Sequence, residues 1–342
     1  MMKKNLLQFL KYAFFTGLGV FLVWWSIARM DEKSLENCKE ALRSARYFLF
    51  IPVFLILSAS HISRALRWKI LIQPLGYTPR LINTFFAVMV GYLANLAVPR
   101  LGEVLKCTIL SRYEKVPADK LVGTMIVERA VDVVSLLIVF IIALLTQAPV
   151  IGSYAKATIQ KYFLSGGKGA LVTKLLIVIA VLIVLLILIR YVFKVFSHIT
   201  PVKKVAGIFN GIKTGLASIK NLQQKRAFIF HSIFIWLCYV GGTWLGFYAT
   251  MGTEHLPLAA AFPVLAFASI GMIVTPGGIG TYPLLIMEVM ALYGIDEGIG
   301  FANGNLQWAA QFGIILVVGF LSLLLLPYFN KEQVAGKKIT TG

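Results

Sequence analysis

The chain has 342 residues, of which 58% are hydrophobic and only 14% charged, with a mean hydropathy of +0.82. That composition excludes the soluble globular classes. The net charge of +19 comes from 33 Lys and Arg against 14 Asp and Glu; these cations sit in loops beside apolar runs, where they set topology and meet anionic lipid headgroups rather than nucleic acid.

Apolar runs of about 20 residues, the length that crosses a roughly 30 Å hydrocarbon core, recur along the chain. The first begins after Met1-Met2-Lys3-Lys4 and reaches Ala28. Ser26-Ile27-Ala28 has the small-x-small form of a signal cleavage site, but the length of the run and Trp24 and Trp25 near its far end favour an uncleaved span. Arg29 to Arg46, with five basic and four acidic residues, reads as a balanced external loop. Tyr47 to about Ile62 returns inward. Ser63 to Ile72 then reads as an amphipathic segment at the membrane surface, with Arg64 and Arg67 beside Trp68 as interfacial anchors at headgroup level.

Leu81 to Val98 is apolar and runs into Asn95-Leu96-Ala97-Val98-Pro99-Arg100-Leu101-Gly102-Glu103, a charged proline-glycine break. Unpaired backbone costs several kcal/mol in hydrocarbon, so a break at membrane depth must be packed in protein or line a wet cavity. The basic residues that follow oppose an external position, which predicts a re-entrant hairpin opening to the cytoplasm. Leu121 to Leu145 spans outward and carries Glu128, Arg129 and Asp132. After an external loop (146–174), Leu175 to Ile189 returns. Residues 190–226, with eight basic and no acidic residues, form a cytoplasmic loop.

Ala227 to Thr250 spans outward. Leu258 to Thr275, the break Thr275-Pro276-Gly277-Gly278-Ile279-Gly280 and Tyr282 to Tyr293 form a second hairpin, entered from outside. Gly304 to Pro327 crosses back. The expectation is an all-α polytopic membrane protein forming one membrane domain. It has about six full spans and two re-entrant helical hairpins, sits in the cytoplasmic (inner) membrane, and has both termini cytoplasmic.

Each half, about 47–146 and about 227–328, contains a span, a broken hairpin and a span, in opposite orientations. Such an inverted repeat places a binding cavity where the broken elements meet. Pro99 precedes Glu128 and Asp132 by 29 and 33 positions, and Pro276 precedes Gln307 and Gln311 by 31 and 35. Residues four apart share a helix face, so each pair is expected to face its own hairpin. Ionisable groups inside a span are costly and are paired or set against a water-filled cavity; Arg129 has Asp132 or a hairpin carboxylate as candidate partners. Cys38, Cys107 and Cys238 suggest neither a disulfide framework nor a zinc site, and no cofactor or metal is expected. His61, His198, His231 and His255 are dispersed and read as interfacial or loop residues.

The ordered set Arg64-x-x-Arg67-Trp68, Asn95, Pro99-Arg100-x-Gly102-Glu103, Glu128-Arg129-x-x-Asp132 and Thr275-Pro276-Gly277-Gly278-Ile279-Gly280 resembles the membrane domain of lysylphosphatidylglycerol synthases over nearly the whole chain. The resemblance implies a flippase-like module that moves or binds a lipid with a polar headgroup, a phospholipid or a lipid-linked glycan, between two re-entrant elements. Arg100, Glu103, Glu128, Arg129 and Asp132 match its pattern. Two departures stand out. About 15 residues follow Pro327, so lysyl transfer to lipid is not assigned from the resemblance, and Gln307-Trp308 stands near where many relatives have an arginine. An intramembrane lipid-modifying enzyme using Glu128 as base, and a scaffold for envelope assembly, are the alternative classes. No catalytic or metal motif favours the enzyme.

Overall fold

Prolines, glycines and capping side chains set the ends of the helices. The computed structural model describes residues 2–98, 101–147 and 219–331, and among them the regular structure is entirely helical. The span expected at Leu175 to Ile189 and nearly all of the basic loop expected at 190–226 lie outside the described residues, as do Pro99 and Arg100.

Helix α1 covers Met2–Ala28. The segment expected as a loop instead carries an amphipathic helix, α2 (Glu32–Arg43). Asp31 caps it by accepting the Ser34 N–H at 2.7 Å, which holds the Asp31 carboxyl below its ordinary pKa. Its buried residues, Cys38 and Ala41, lie in a cluster with Phe301 and Ala302 of a later helix. The charges that suggested a loop occupy the opposite, wet face.

Helix α3 (Phe50–Ile72) runs without interruption through the segment expected to lie at the surface. α4 (Leu81–Ala97) and α5 (Leu101–Glu114) form the first hairpin, followed by α6 (Ala118–Thr146). The second half repeats the order with α7 (Lys225–Phe247), the hairpin α8 (Leu258–Val274) and α9 (Thr281–Ala291), and α10 (Glu297–Phe329). Asp296 caps α10 through the Gly298 and Ile299 N–H groups and also accepts the Ser34 hydroxyl at 2.8 Å, tying α2 across the start of α10.

Among the described residues, four segments, built on α3, α6, α7 and α10, are long and apolar enough to cross a membrane. Leu137, Ile141, Leu144 and Leu145 on α6 and Phe320 and Leu324 on α10 are exposed apolar side chains of the kind that face lipid. Packing between the halves is reciprocal. α3 lies along α7, α4 packs on α10, and α8 packs on α6. Helix association in lipid depends on close contact rather than on the hydrophobic effect, and α10 provides it with small residues. An added Cβ at Gly304 would meet Pro283 backbone of α9 at 2.8 Å, and one at Gly319 would meet Leu93 of α4 at 2.9 Å.

The two breaks have distinct local causes. Val98 is extended, as a residue before proline prefers, and Asn95 Oδ1 accepts the Gly102 N–H at 2.8 Å, satisfying a donor that the start of α5 would otherwise leave open. In the second break, Thr275 precedes a 3-10 turn, Pro276–Gly278. Gly277 and Gly280 take positive φ (63° and 74°), where a side chain is disfavoured. The Thr281 hydroxyl donates to the Gly271 carbonyl at 2.7 Å, Thr275 Oγ1 lies 2.6 Å from Thr281 Oγ1, and Trp308 Nε1 donates to the Gly277 carbonyl at 2.8 Å.

Candidate functional site

The spacing of α3 puts Phe50, Val53, Leu57, His61 and Arg64 on one face. That face, together with one face of α7 carrying Trp236, Tyr239, Gly242 and Gly246, lines a cavity of about 300 Å³ between the halves. Asp132 and Arg129 of α6, Tyr92 of α4, and Gln307 and Gln311 of α10 complete its polar lining. Arg46 lies at the N-terminal end of α3, where its guanidinium is 3.8 Å from Glu254. Most of the remaining lining is apolar, so the cavity joins an oily wall to a charged end.

That charged end is an ion network built from three elements. Arg64 Nη1 lies 2.5 Å from Asp132 Oδ2 and 3.2 Å from Glu128 Oε1. Arg67 Nη2 lies 2.7 Å from Asp132 Oδ1 and 3.8 Å from Glu128 Oε1. Lys106 of α5 places Nζ 2.7 Å from Glu128 Oε2 and 4.5 Å from the centre of the Trp68 ring. Trp68 is held in turn by its Nε1–H bond to Thr124 Oγ1 at 2.9 Å. Burying an ion costs several kcal/mol even after relaxation, and only close pairing with further hydrogen bonds offsets it. Here both carboxylates are shared between cations, and Arg64 and Arg67 make further bonds to the Tyr239 and Ser232 hydroxyls. Three cations meet two carboxylates in this network. One positive charge is left uncompensated beside the cavity.

These contacts correct the expectation for Arg64 and Arg67. Neither is exposed on the surface of the fold as an anchor would be. Arg67 and Trp68 are fully buried and Arg64 is 6% exposed, because α3 continues inward against α6. Arg129 takes the hairpin partner, with its Nη2 3.1 Å from Glu103 Oε1. Glu128 and Arg129 therefore face the first hairpin, while Asp132 turns to α3. The expected symmetry with the glutamines does not extend to their contacts. Gln307 packs against Gly246 of α7 and donates to Asn303 Oδ1 at 2.7 Å; it is the neighbouring Trp308 that reaches the second break.

Asn95, Gly102, Glu103 and Glu128 line a small pocket behind the main cavity, with Lys106 and Arg129. Thr275, Pro276, Gly277, Gly278 and Gly280 hold the second break together and do not line the main cavity. Lys106, His61, Tyr92, Trp236 and Tyr239 are additions to the site. Lys106 follows Glu103 by three positions, and His61 precedes Arg64 by three, so the helical spacing that joins Arg64 to Arg67 also reaches both. His61 is not a surface residue: it is 3% exposed, its ring centre lies 5.4 Å from that of Tyr92, and neither ring nitrogen has a hydrogen-bond partner among the described residues.

A multi-pass membrane protein, helical throughout its described residues and with a charged internal cavity, is the class that this fold and site define. The chain belongs to the family described as the lysylphosphatidylglycerol synthase TM region, whose model matches residues 8–319. It is similar to a UPF0104 membrane protein of Methanocaldococcus jannaschii, 24% identical over 319 residues that cover 90% of each chain. No solved structure matches it.

Proposed function

We propose that this protein is a flippase-like transporter that carries a polar-headgroup lipid, a phospholipid or a lipid-linked glycan, through the cavity between its halves without altering it covalently. The observation that carries this reading is the surplus positive charge at the end of an otherwise apolar cavity. A phosphate would meet Arg64 and Arg129 there, while acyl chains stay against the oily walls and the bilayer. The reciprocal packing of the halves supports an inverted repeat, with α4–α5 and α8–α9 as re-entrant hairpins entered from opposite sides. In this reading the protein lies in the cytoplasmic membrane with both termini cytoplasmic. Membrane lipids with anionic headgroups are its partners.

Purified protein reconstituted in liposomes should accelerate exchange of fluorescent phospholipid between leaflets, measured by the fraction that an external reductant quenches. Exchange at the rate of protein-free liposomes for every phospholipid and lipid-linked glycan tried would overturn the proposal.

A further inference from the structure

The two ends of the cavity are held together by different kinds of contact. At the charged end, α3 is pinned to α7 through side chains that are buried or part-buried. Ser63 Oγ lies 2.9 Å from His231 Nδ1, Arg67 Nη1 donates to Ser232 Oγ at 3.5 Å, and Arg64 Nη2 donates to the Tyr239 hydroxyl at 3.3 Å. The same arginines are held by Asp132 of α6, and pulling a buried charge from its partner is costly. Arg46 marks the other end, about 21 Å along α3 at 1.5 Å per residue from Phe50 to Arg64. It lines the cavity and its side chain is 39% exposed, so the cavity wall reaches the surface of the fold there.

Among the described residues, the polar contacts that join this end of α3 to the second half are all made by Arg46. Its backbone N–H donates to the Ala249 carbonyl at 2.9 Å, its Nη1 donates to the Tyr248 carbonyl at 3.3 Å, and its guanidinium lies 3.8 Å from Glu254 Oε1. The pair with Glu254 is half-exposed on both sides, and such pairs hold weakly. Between the two ends, Val53 and Leu57 share an apolar cluster with Ile314 and Ile315 of α10, a contact that lipid tails can replace at little cost. The second half is rigid at this place. Fully buried Asn303 of α10 donates to the Gly246 carbonyl at 2.9 Å and to Thr253 Oγ1 at 3.2 Å, and the Thr253 hydroxyl donates to the Phe247 carbonyl at 2.5 Å. The end of α7 and the turn that carries Glu254 are thereby fixed to α10.

We infer that Arg46 is a latch between α3 and the second half. The cavity opens at this end when Arg46 leaves Glu254 and the last carbonyls of α7, and the first turns of α3 swing away from α7 about a pivot at Ser63 and Arg67. The carbonyl end of a helix carries partial negative charge, so the closed position is held by α7 itself as well as by Glu254. The inference concerns how the cavity opens and does not depend on what passes through it.

Spin-label distances, measured by double electron–electron resonance on the protein in lipid nanodiscs, test this. With Cys38, Cys107 and Cys238 replaced by Ala, one pair of labels goes on Phe48→Cys and Met251→Cys across the Arg46 end. A second pair goes on Ile62→Cys and Ile233→Cys across the pivot; all four native side chains are exposed. Arg46→Gln should add a population about 5 Å longer to the first pair, since a swing of about 15° over about 21 Å of helix moves its tip that far. The second pair should stay unchanged. Glu254→Gln, which keeps the bond from Arg46 to Tyr248, should add a smaller fraction of the same longer population. Arg46→Glu combined with Glu254→Arg should restore most of the short distance, which a mere loss of packing would not do. No longer population in either single variant, or a change in both label pairs together, would overturn the inference. Because the readout is a distance within the protein, absence of leaflet exchange by the unaltered protein would overturn transport and leave the latch standing.

Discussion

The first break is a charged junction and the second a neutral one, although the two occupy corresponding places in the halves. At the first, α5 is tied to α6 by Lys106–Glu128 and Glu103–Arg129, with Asn95 satisfying the start of the helix. At the second, hydroxyls, a tryptophan N–H and left-handed glycines close the turn, and α1 lies against it so tightly that a Cβ on Gly280 would sit 2.1 Å from the Gly19 carbonyl oxygen. One layout therefore carries two kinds of chemistry. The first half holds the charge that meets the cavity, and the second holds a closely packed backbone turn.

The contrast breaks most severely if the charge network loses its shared carboxylate. Glu128→Ala leaves Arg64 and Arg67 with Asp132 alone and Lys106 without its carboxylate, and removing one member of a buried pair costs about 3–5 kcal/mol. Its melting temperature in detergent should fall further than those of Gly280→Ala, Asn95→Ala and Arg129→Gln; a change within error would mean that the network is not buried as described. Gly280→Ala breaks the other side of the contrast by sterics, since positive φ and the Gly19 carbonyl both oppose a methyl group. Overpacking of this kind costs about 1–3 kcal/mol, and adding Gly19→Ala should not relieve it. Asn95→Ala removes one cap and should cost about 1 kcal/mol, whereas Asn95→Asp should keep most of it. Arg129→Gln is the mildest in stability, under about 1 kcal/mol because its pair is half-exposed. It should slow lipid exchange far more than it lowers the melting temperature.

How much of this is legible in the sequence follows from the range of each cause. The breaks are visible because proline and glycine act on their own neighbours: Val98 is extended because Pro99 follows it. Glu128, Arg129 and Asp132 stand out because charge inside an apolar run needs a partner. Which partner is invisible, since Arg64 lies 64 positions before Glu128 and only the packing of α3 on α6 joins them. Arg64 and Arg67 are misplaced by sequence for a physical reason. An arginine pair beside a tryptophan is also how a chain leaves the membrane, and local sequence does not separate that pattern from a buried ion network. His61 escapes notice because a lone histidine carries no signal until the cavity in front of it is known. In α2, charge conceals an amphipathic pattern whose cap, Asp31, is present in the sequence.

If lipid passes through the cavity itself, as proposed, Gly242→Trp should block it. Gly242 lines the cavity, and an added Cβ there would meet only Leu57, at 3.8 Å, so a larger side chain can start there and occupy cavity space. Leaflet exchange in liposomes should be lost while the melting temperature stays close to that of the unaltered protein. Undiminished exchange by a folded Gly242→Trp protein would contradict passage through the cavity.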